Sequence, residues 1–251
     1  MFDKKIIALI FLNGALYCAF LLCDFFAERG AFLSAMLKYC GIAVCLCIAA
    51  FAWRDAARRR DAGGKRDTIG NRTADSRDAA EWTAAKQDAR LQTIVLGFTL
   101  IADYFLLFTP FFAAGILIFF GAHLTALRRY QPRWFPFGLG GAIVCVVAAI
   151  LRAGGAENAG ASAFFVTVSI GYGALIIAVT AAAFLTKLPY GKRVLAQAGM
   201  VLFMICDINV IQFNTQPPGS AAYGLAAVLM WAFYLPAQTA LALSACHFPE
   251  K

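Results

Sequence analysis

Long apolar runs alternate with short polar segments along the whole chain. Each run holds about 20 mostly apolar residues, the length that an α-helix needs to cross the hydrocarbon core of a bilayer. The pattern therefore predicts an all-α fold, a polytopic bundle of eight transmembrane helices. The predicted spans are Ile6–Phe26, Ala31–Trp53, Leu91–Thr109, Phe111–Leu127, Phe135–Leu151, Ala161–Thr186, Val194–Phe213 and Ala221–Ala245.

Proline and glycine separate two pairs of successive spans. Pro110 is placed between the third and fourth spans, and Pro217, Pro218 and Gly219 follow the seventh. Because these residues interrupt helices and favour turns, both pairs are predicted to form hairpins.

The composition excludes a water-soluble protein. Hydrophobic residues make up 61% of the chain and charged residues 14%, against roughly 45–50% and about 25% in soluble domains. The net charge of +8 does not indicate a nucleic-acid partner, because the basic residues lie between apolar runs. The eight cysteines lie in or beside these runs without a CxxC pair, so neither a disulfide framework nor a zinc site is expected.

The distribution of basic residues predicts the orientation. If the N-terminus is cytoplasmic, 19 of the 22 Lys and Arg residues fall in cytoplasmic segments, while Arg29 and Arg152 fall outside and Lys38 lies within a span. This asymmetry predicts that both termini are cytoplasmic. We expect a single transmembrane domain over residues 1–251, integral to a bacterial inner (cytoplasmic) membrane.

The segment Arg54–Arg90 is the one long polar stretch of the sequence. Its first half predicts a flexible, charged cytoplasmic loop, and its Ala-rich second half can extend the third helix into the cytoplasm. A solvated loop that sets the topology is the simpler interpretation, and contact with anionic lipid is the alternative.

Four ionisable residues interrupt the apolar runs: Lys38, Asp103, His123 and Asp207. An ionisable group inside a membrane is costly without a partner or water, so each is a candidate functional residue. Asp103 and Asp207 lie about 12–13 residues into helices that run in the same direction, which places them at a similar depth. Lys38 is at a comparable level, so the two carboxylates and the ammonium are expected in one layer. A purely structural role for the carboxylates is the alternative.

Further polar residues add hydrogen-bonding capacity around this layer, namely Tyr172, Asn209, Tyr234 and Gln238. The order of an Asp, a turn and an apolar helix occurs twice, around Asp103 and around Asp207. Such a parallel repeat would place a site at the interface between its two copies.

Several motifs stand in a specific order. They are IADYFLLF with Asp103, FFAAGILIFFGAHLTAL with His123, FMICDINVIQFN with Asp207, WAFYLPAQTA with Tyr234 and Gln238, and the early Lys38. In these motifs, over residues 31–53 and 91–245, the chain resembles the YhhN family of integral membrane proteins, which includes the lysoplasmalogenases. It departs from the family at Ala102, where Gly is frequent, and at Cys206, where Ser is common. The charged segment at 54–90 is an apparent insertion.

The resemblance implies hydrolysis of the vinyl-ether bond of lysoplasmalogens, which gives a fatty aldehyde and glycerophosphoethanolamine or glycerophosphocholine. It implies Asp103 and Asp207 as the catalytic pair. The candidate substrate-binding residues are Lys38, His123, Tyr172, Asn209, Tyr234 and Gln238. No metal, other cofactor or obligate protein partner is expected, and the expected partners are the lysophospholipid substrate and membrane lipids.

The residue chemistry fits this reaction independently. A vinyl ether opens after protonation of its β-carbon, which generates an oxocarbenium ion. Two neighbouring carboxyl groups in a medium of low dielectric do not both ionise easily, so one can donate the proton. The other can stabilise the cation and activate water, as paired carboxylates do in glycosidases.

Two other function classes remain open. A zinc hydrolase would need about three protein ligands, and Asp103, Asp207 and His123 are the available mixed set. A transporter or receptor of a lipid-like ligand would use the buried Asp and Lys residues as an ion site. Against the transporter, the sequence has no pair of spans broken by Gly and Pro.

Overall fold

The structure is a computed structural model and describes residues 3–26, 32–66, 72–155 and 160–247. Over these ranges all regular structure is helical, and eight α-helices are each long and apolar enough to cross a membrane. The predicted all-α transmembrane bundle is therefore confirmed. The helices are α1 (Lys4–Phe26), α2 (Phe32–Arg66), α3 (Arg72–Phe108), α4 (Phe112–Tyr130), α5 (Phe135–Gly155), α6 (Gly160–Phe184), α7 (Tyr190–Thr215) and α8 (Ala221–Leu243).

The charged segment after the second span is more helical than the sequence predicts. Helix α2 continues to Arg66 and α3 begins at Arg72, so the prediction of a flexible loop is wrong for residues 54–66. Ala and Arg are good helix formers, and Asp55 accepts an i,i+4 salt bridge from Arg59 at 3.0 Å. The expected extension of α3 is present, and residues 67–71 lie outside the described residues.

Six of the described helices form a closed ring. Helices α2, α3, α4, α6, α7 and α8 each pack on the next in this order, and α8 returns to α2. Helix α1 lies against α2 and α8, and α5 lies against α6 and α4. Most of α5 is exposed, as expected for a helix that faces lipid. The ring encloses an interior to which α3, α4, α6, α7 and α8 all contribute side chains.

Small residues bring the helices of both predicted hairpins close together. A Cβ added to Gly115 of α4 would lie 3.1 Å from the Ala102 carbonyl oxygen of α3. A Cβ added to Gly199 of α7 would lie 3.1 Å from the Ala237 carbonyl oxygen of α8. This close approach is typical of transmembrane helix pairs, in which small residues permit backbone contact.

Pro236 shapes the helix that carries Tyr234 and Gln238. A proline inside a helix has no N–H for the carbonyl four residues earlier. That carbonyl, of Ala232, instead accepts a hydrogen bond of 3.1 Å from the Tyr17 hydroxyl of α1. Helix α1 thus supports α8 at its proline.

The alternating helix directions collect many basic residues at one end of the bundle. Lys5 at the start of α1 lies 5.9 Å from the Phe51 ring of α2, and Arg129 of α4 meets Lys192 of α7 through a shared aspartate. We call this the basic end and the other the opposite end. That the basic end faces the cytoplasm stays a prediction, as does the single domain. Arg29 and Lys251, used in the orientation argument, lie outside the described residues.

Candidate active site

Asp103 is buried inside the helix ring, near the opposite end. It lies five residues before the end of α3, roughly 8 Å along the helix axis, and is 3% exposed. Its Oδ2 accepts a hydrogen bond of 2.6 Å from the Tyr234 hydroxyl of α8. The preceding Ala102 is fully buried between the helices, which explains why a small residue is needed there.

Asp207 has a matching environment on α7. Its Oδ2 accepts a hydrogen bond of 2.8 Å from the Tyr172 hydroxyl of α6. Asp207 and Tyr172 are partly exposed, whereas Asp103 and Tyr234 are buried. Asp207 lies within electrostatic range of Asp103, so the structure brings the two carboxyl groups into one cluster, each with its own tyrosine.

An aromatic wall joins the two Tyr–Asp pairs. The His123 ring lies edge-on to Tyr172 and to Phe203, with centroid distances of 5.2 Å in both contacts. Phe203 in turn packs edge-on against Tyr234 at 5.4 Å. Because aromatic rings are rigid, this wall holds both tyrosines in place beside the carboxyl groups. The His123 Nδ1–H donates a hydrogen bond of 3.0 Å to the Phe119 carbonyl oxygen.

Lys38 does not join the carboxyl pair. Its Nζ forms an ion pair of 2.7 Å with Asp24 of α1, which also accepts a hydrogen bond from Ser34. Within the described residues Lys38 has no ion pair with Asp103 or Asp207, so the expected meeting of the ammonium with the two carboxylates does not occur. Depth along a helix can be counted from the sequence, but the direction in which a side chain points depends on how the helices pack.

Lys38 is nevertheless close to the aromatic side of the site. Its Nζ lies 4.8 Å from the Trp231 ring centroid, and Trp231 packs edge-on against Tyr234 at 5.4 Å. One aromatic ring therefore separates the ion pair from the tyrosine that binds Asp103.

The remaining candidates differ in their surroundings. The Asn209 side chain donates to the Ile205 carbonyl of its own helix at 2.8 Å, so its amide N–H is used locally. Gln238 is fully buried, and neither of its amide atoms has a hydrogen-bond partner among the described residues. It lines a small internal cavity together with His123.

A buried polar cluster at the basic end was not predicted. Arg129 of α4 donates to both Asp88 carboxylate oxygens, at 2.6 and 3.3 Å, and Lys192 of α7 donates to Asp88 at 2.8 Å. Arg129 also donates to Gln92 of α3 and to Ser244 after α8. From the sequence these charges were assigned to cytoplasmic segments. The sequence did contain a signal for polar side chains inside the bundle, because helical spacing places Gln92, Thr99 and Asp103 on one face of α3.

Among the described residues, the side chains that a zinc site would need do not come together. Over the described part of the chain, no group of three His, Cys, Asp or Glu side chains is placed to hold a metal ion. The mixed set Asp103, Asp207 and His123 is therefore not arranged as a three-ligand site. His123 instead belongs to the aromatic wall.

A family model for the YhhN family matches residues 79–245. The chain belongs to the YhhN family. The matched range contains both carboxyl groups, both tyrosines, His123 and Gln238 of this YhhN protein, but it begins after Lys38. No curated protein and no solved structure matches the chain at a significant level.

Proposed function

We propose that this YhhN protein is a lysoplasmalogenase that hydrolyses the vinyl-ether bond with Asp103 and Asp207. The observation that carries the proposal is the pair of carboxyl groups inside the helix ring, each hydrogen-bonded by a tyrosine hydroxyl rather than by a cation. A neutral partner orients a carboxyl group without fixing its charge. Such a group is suited to donating and accepting a proton.

The pair has the parts that acid-catalysed hydrolysis needs. One carboxyl group donates its proton to the β-carbon of the vinyl ether, and the α-carbon becomes an oxocarbenium ion. The other carboxylate stabilises this cation and takes a proton from the water that attacks the α-carbon. The first group, now a carboxylate, takes the hydroxyl proton of the resulting hemiacetal, while the second, now protonated, gives its proton to the departing glycerol oxygen. The products are an aldehyde and an alcohol, and both carboxyl groups return to their starting protonation states. The sum is one vinyl ether and one water converted to one aldehyde and one alcohol.

The tyrosines leave one oxygen of each carboxyl group available. Both hydroxyls bind Oδ2, and no donor among the described residues reaches either Oδ1. The Oδ1 atoms are therefore the ones that we expect to face the substrate and the water. A positioned general acid typically contributes about 10²–10⁴-fold to a rate.

The exposure of the site supports lateral entry of a lipid. Asp207 and Tyr172 are partly exposed, and the neighbouring Ile208 and Ile211 are 49% and 63% exposed, as expected for side chains that face lipid. We infer that the alkenyl chain reaches the pair from the Asp207 side. The head group would remain near the opposite end, because the carboxyl groups lie within roughly 12 Å of that end of their helices.

The most direct test of the activity uses two substrates. Purified protein is incubated with a lysoplasmalogen and, separately, with an ester lysophospholipid, and fatty aldehyde and free fatty acid are measured independently. We expect aldehyde from the first and no fatty acid from the second. Chelators should leave the rate unchanged, and loss of activity that zinc restores would favour the metal hydrolase instead.

The buried Lys38–Asp24 pair is the observation that favours the second candidate, a transporter or receptor with an ion site. Reconstitution into liposomes separates the two functions. Substrate-dependent flux without aldehyde release would replace the hydrolase with the transporter.

A further inference from the structure

A small cavity lies inside the bundle between α3, α4, α7 and α8. Its lining includes Gln92, Thr99, His123, Met200 and Gln238, all of which are at most 4% exposed. The space that the centre of a water molecule can occupy there is about 10 Å³. A polar cavity holds an ordered water when it has room for about one and offers two to four hydrogen-bond partners.

Among the mostly apolar side chains that line the cavity, two glutamines carry polar atoms without protein partners. Neither amide atom of Gln238 is hydrogen-bonded among the described residues, and the same holds for the Gln92 Nε2. A buried polar atom left unsatisfied costs about 1–3 kcal/mol. The His123 Nδ1 donates to a backbone carbonyl, which leaves the Nε2 of a neutral ring as an acceptor. One water could accept from the two glutamine amides and donate to the Gln238 Oε1 and to His123.

The cavity lies one helical turn from the carboxyl pair. Thr99 precedes Asp103 by four residues on α3, and Gln238 follows Tyr234 by four residues on α8, so in each helix the two residues share a face. Asp103 and Tyr234 are hydrogen-bonded to each other. Polar side chains of the cavity therefore lie one helical turn from Asp103 and Tyr234, on the same helix faces.

The same lining continues towards the basic end. The Gln92 Oε1 accepts a hydrogen bond from Arg129 at 2.5 Å, and Arg129 binds Asp88. Asp88 and Arg129 in turn line an open cleft of about 830 Å³ at the basic end. Polar side chains thus follow one another from this cleft, through the cavity, to Asp103.

We propose that the cavity is a water-binding site through which water reaches the carboxyl pair from the basic end. This inference rests on the proposed hydrolysis, in which one water is consumed in each turnover. A lipid chain that enters beside Asp207 would close that side to water, so a separate polar route supplies the second reactant. Substrate and water would then reach the pair from different directions.

The water site is tested without substrate by X-ray hydroxyl-radical footprinting of the purified full-length protein. Radicals form from ordered water, so a buried side chain beside such water is modified while a dry one is not. Met200 lines the cavity at 2% exposure, and Phe20, at 0%, is the dry reference. The yield at each residue is divided by its yield in the unfolded protein, because a thioether is intrinsically more reactive than a phenyl ring. We expect the normalised modification of Met200 to lie well above that of Phe20. Modification of Met200 at the Phe20 level would overturn the proposal.

Two variants test the route, with one matched control. Gln238→Leu removes the unpartnered amide, and Ala122→Val fills space in the lining; each should reduce Met200 labelling to the Phe20 level. Each should also lower kcat by about tenfold, the effect of about one lost hydrogen bond, with KM unchanged. Gln212→Leu on the exposed part of α7 is the control and should change neither the Met200 labelling nor kcat.

The outcomes separate this proposal from the proposed function. Variants that lose the labelling but keep full turnover would show that the cavity is wet but does not supply the reaction, which would overturn the route. If Met200 is labelled in the wild-type protein but no aldehyde is released, the proposed hydrolase function is wrong. The catalytic role of the route is then wrong as well, while the water site would stand.

Discussion

At the residue scale, the aspartates inside the bundle differ in their partners. Asp24 pairs with Lys38, and Asp88 pairs with Arg129 and Lys192. Asp103 meets a tyrosine hydroxyl instead, and so does Asp207. A cation neutralises a carboxylate and occupies its oxygens, which suits a structural role. A neutral hydroxyl leaves the charge of the carboxyl group free to change, which suits proton transfer.

The two tyrosines should therefore position the carboxyl groups. Tyr234→Phe and Tyr172→Phe each remove one hydrogen bond while they preserve the aromatic ring. We expect each variant to lower kcat for aldehyde release by about 10–100-fold, the value of a hydrogen bond to a charged group, and to shift the pH profile of kcat. A Phe variant with wild-type turnover and pH profile would show that its hydroxyl has no part in the reaction.

A separate prediction concerns the cost of leaving one member of the buried Lys38–Asp24 ion pair without its partner. Lys38→Met leaves Asp24 buried without its cation, and removing one partner of a buried ion pair costs about 3–5 kcal/mol. Replacing both, as in Lys38→Met with Asp24→Leu, removes the unpaired charge. We expect the double variant to unfold at a higher temperature in detergent than the single variant. The reverse order would contradict the view that the pair is neutralised within the bundle.

What the sequence predicts at this scale is position along a helix. Counting from the apolar runs placed Asp103 and Asp207 at a similar depth, and the structure has them in one cluster. The same counting placed Lys38 beside them, although it pairs with Asp24. The Asn209 amide likewise donates to its own helix. Rotation about the helix axis and the choice of neighbouring helix follow from packing, which periodicity alone does not determine.

At the scale of the helices, the basic-end cluster ties four of them together. Arg129 of α4 contacts Asp88 and Gln92 of α3 and Ser244 at the end of α8, and Asp88 also binds Lys192 of α7. The same four helices line the cavity and carry three of the four Tyr and Asp residues of the site. The cluster therefore holds the framework of the site from its far end.

Arg129 offers a matched pair of variants for this role. It is 7% exposed, whereas the adjacent Arg128 is exposed. Arg129→Gln should lower the free energy of unfolding by about 3–5 kcal/mol, because Asp88 loses its bidentate partner. Arg128→Gln should leave the thermal unfolding midpoint in detergent nearly unchanged. Equal effects of the two variants would contradict a structural role for the buried cluster.

The sequence did not distinguish these neighbours, because both arginines follow an apolar run and both satisfy the positive-inside rule. Nor did it predict that α2 continues through residues 54–66, where the charged sequence suggested a loop. Helix formation by Ala and Arg prevailed there. The spans themselves were predictable because about 20 apolar residues in succession have few alternatives to a membrane helix.

At the scale of the whole molecule, the ring of helices separates a basic end from an opposite end near which the carboxyl pair lies. The orientation follows from the distribution of Lys and Arg and is open to a direct test. A reporter fused after Lys251 should be active in the cytoplasm, and a tag inserted between Pro218 and Gly219 should be accessible from the other side. A cytoplasmic tag at Pro218 would reverse the predicted topology.

The central claim is that Asp103 and Asp207 together perform the hydrolysis, and aldehyde release by their Asn variants tests it most directly. Asn preserves size and hydrogen bonding but removes the proton donor or the charge, so Asp103→Asn and Asp207→Asn should each lower kcat by about 10²–10⁴-fold. Because the two act as a unit, the double variant should be little worse than either one. Asp55→Asn at the half-exposed pair with Arg59 is the control and should keep its turnover. Near wild-type aldehyde release by a correctly folded Asp103→Asn or Asp207→Asn variant would contradict the claim.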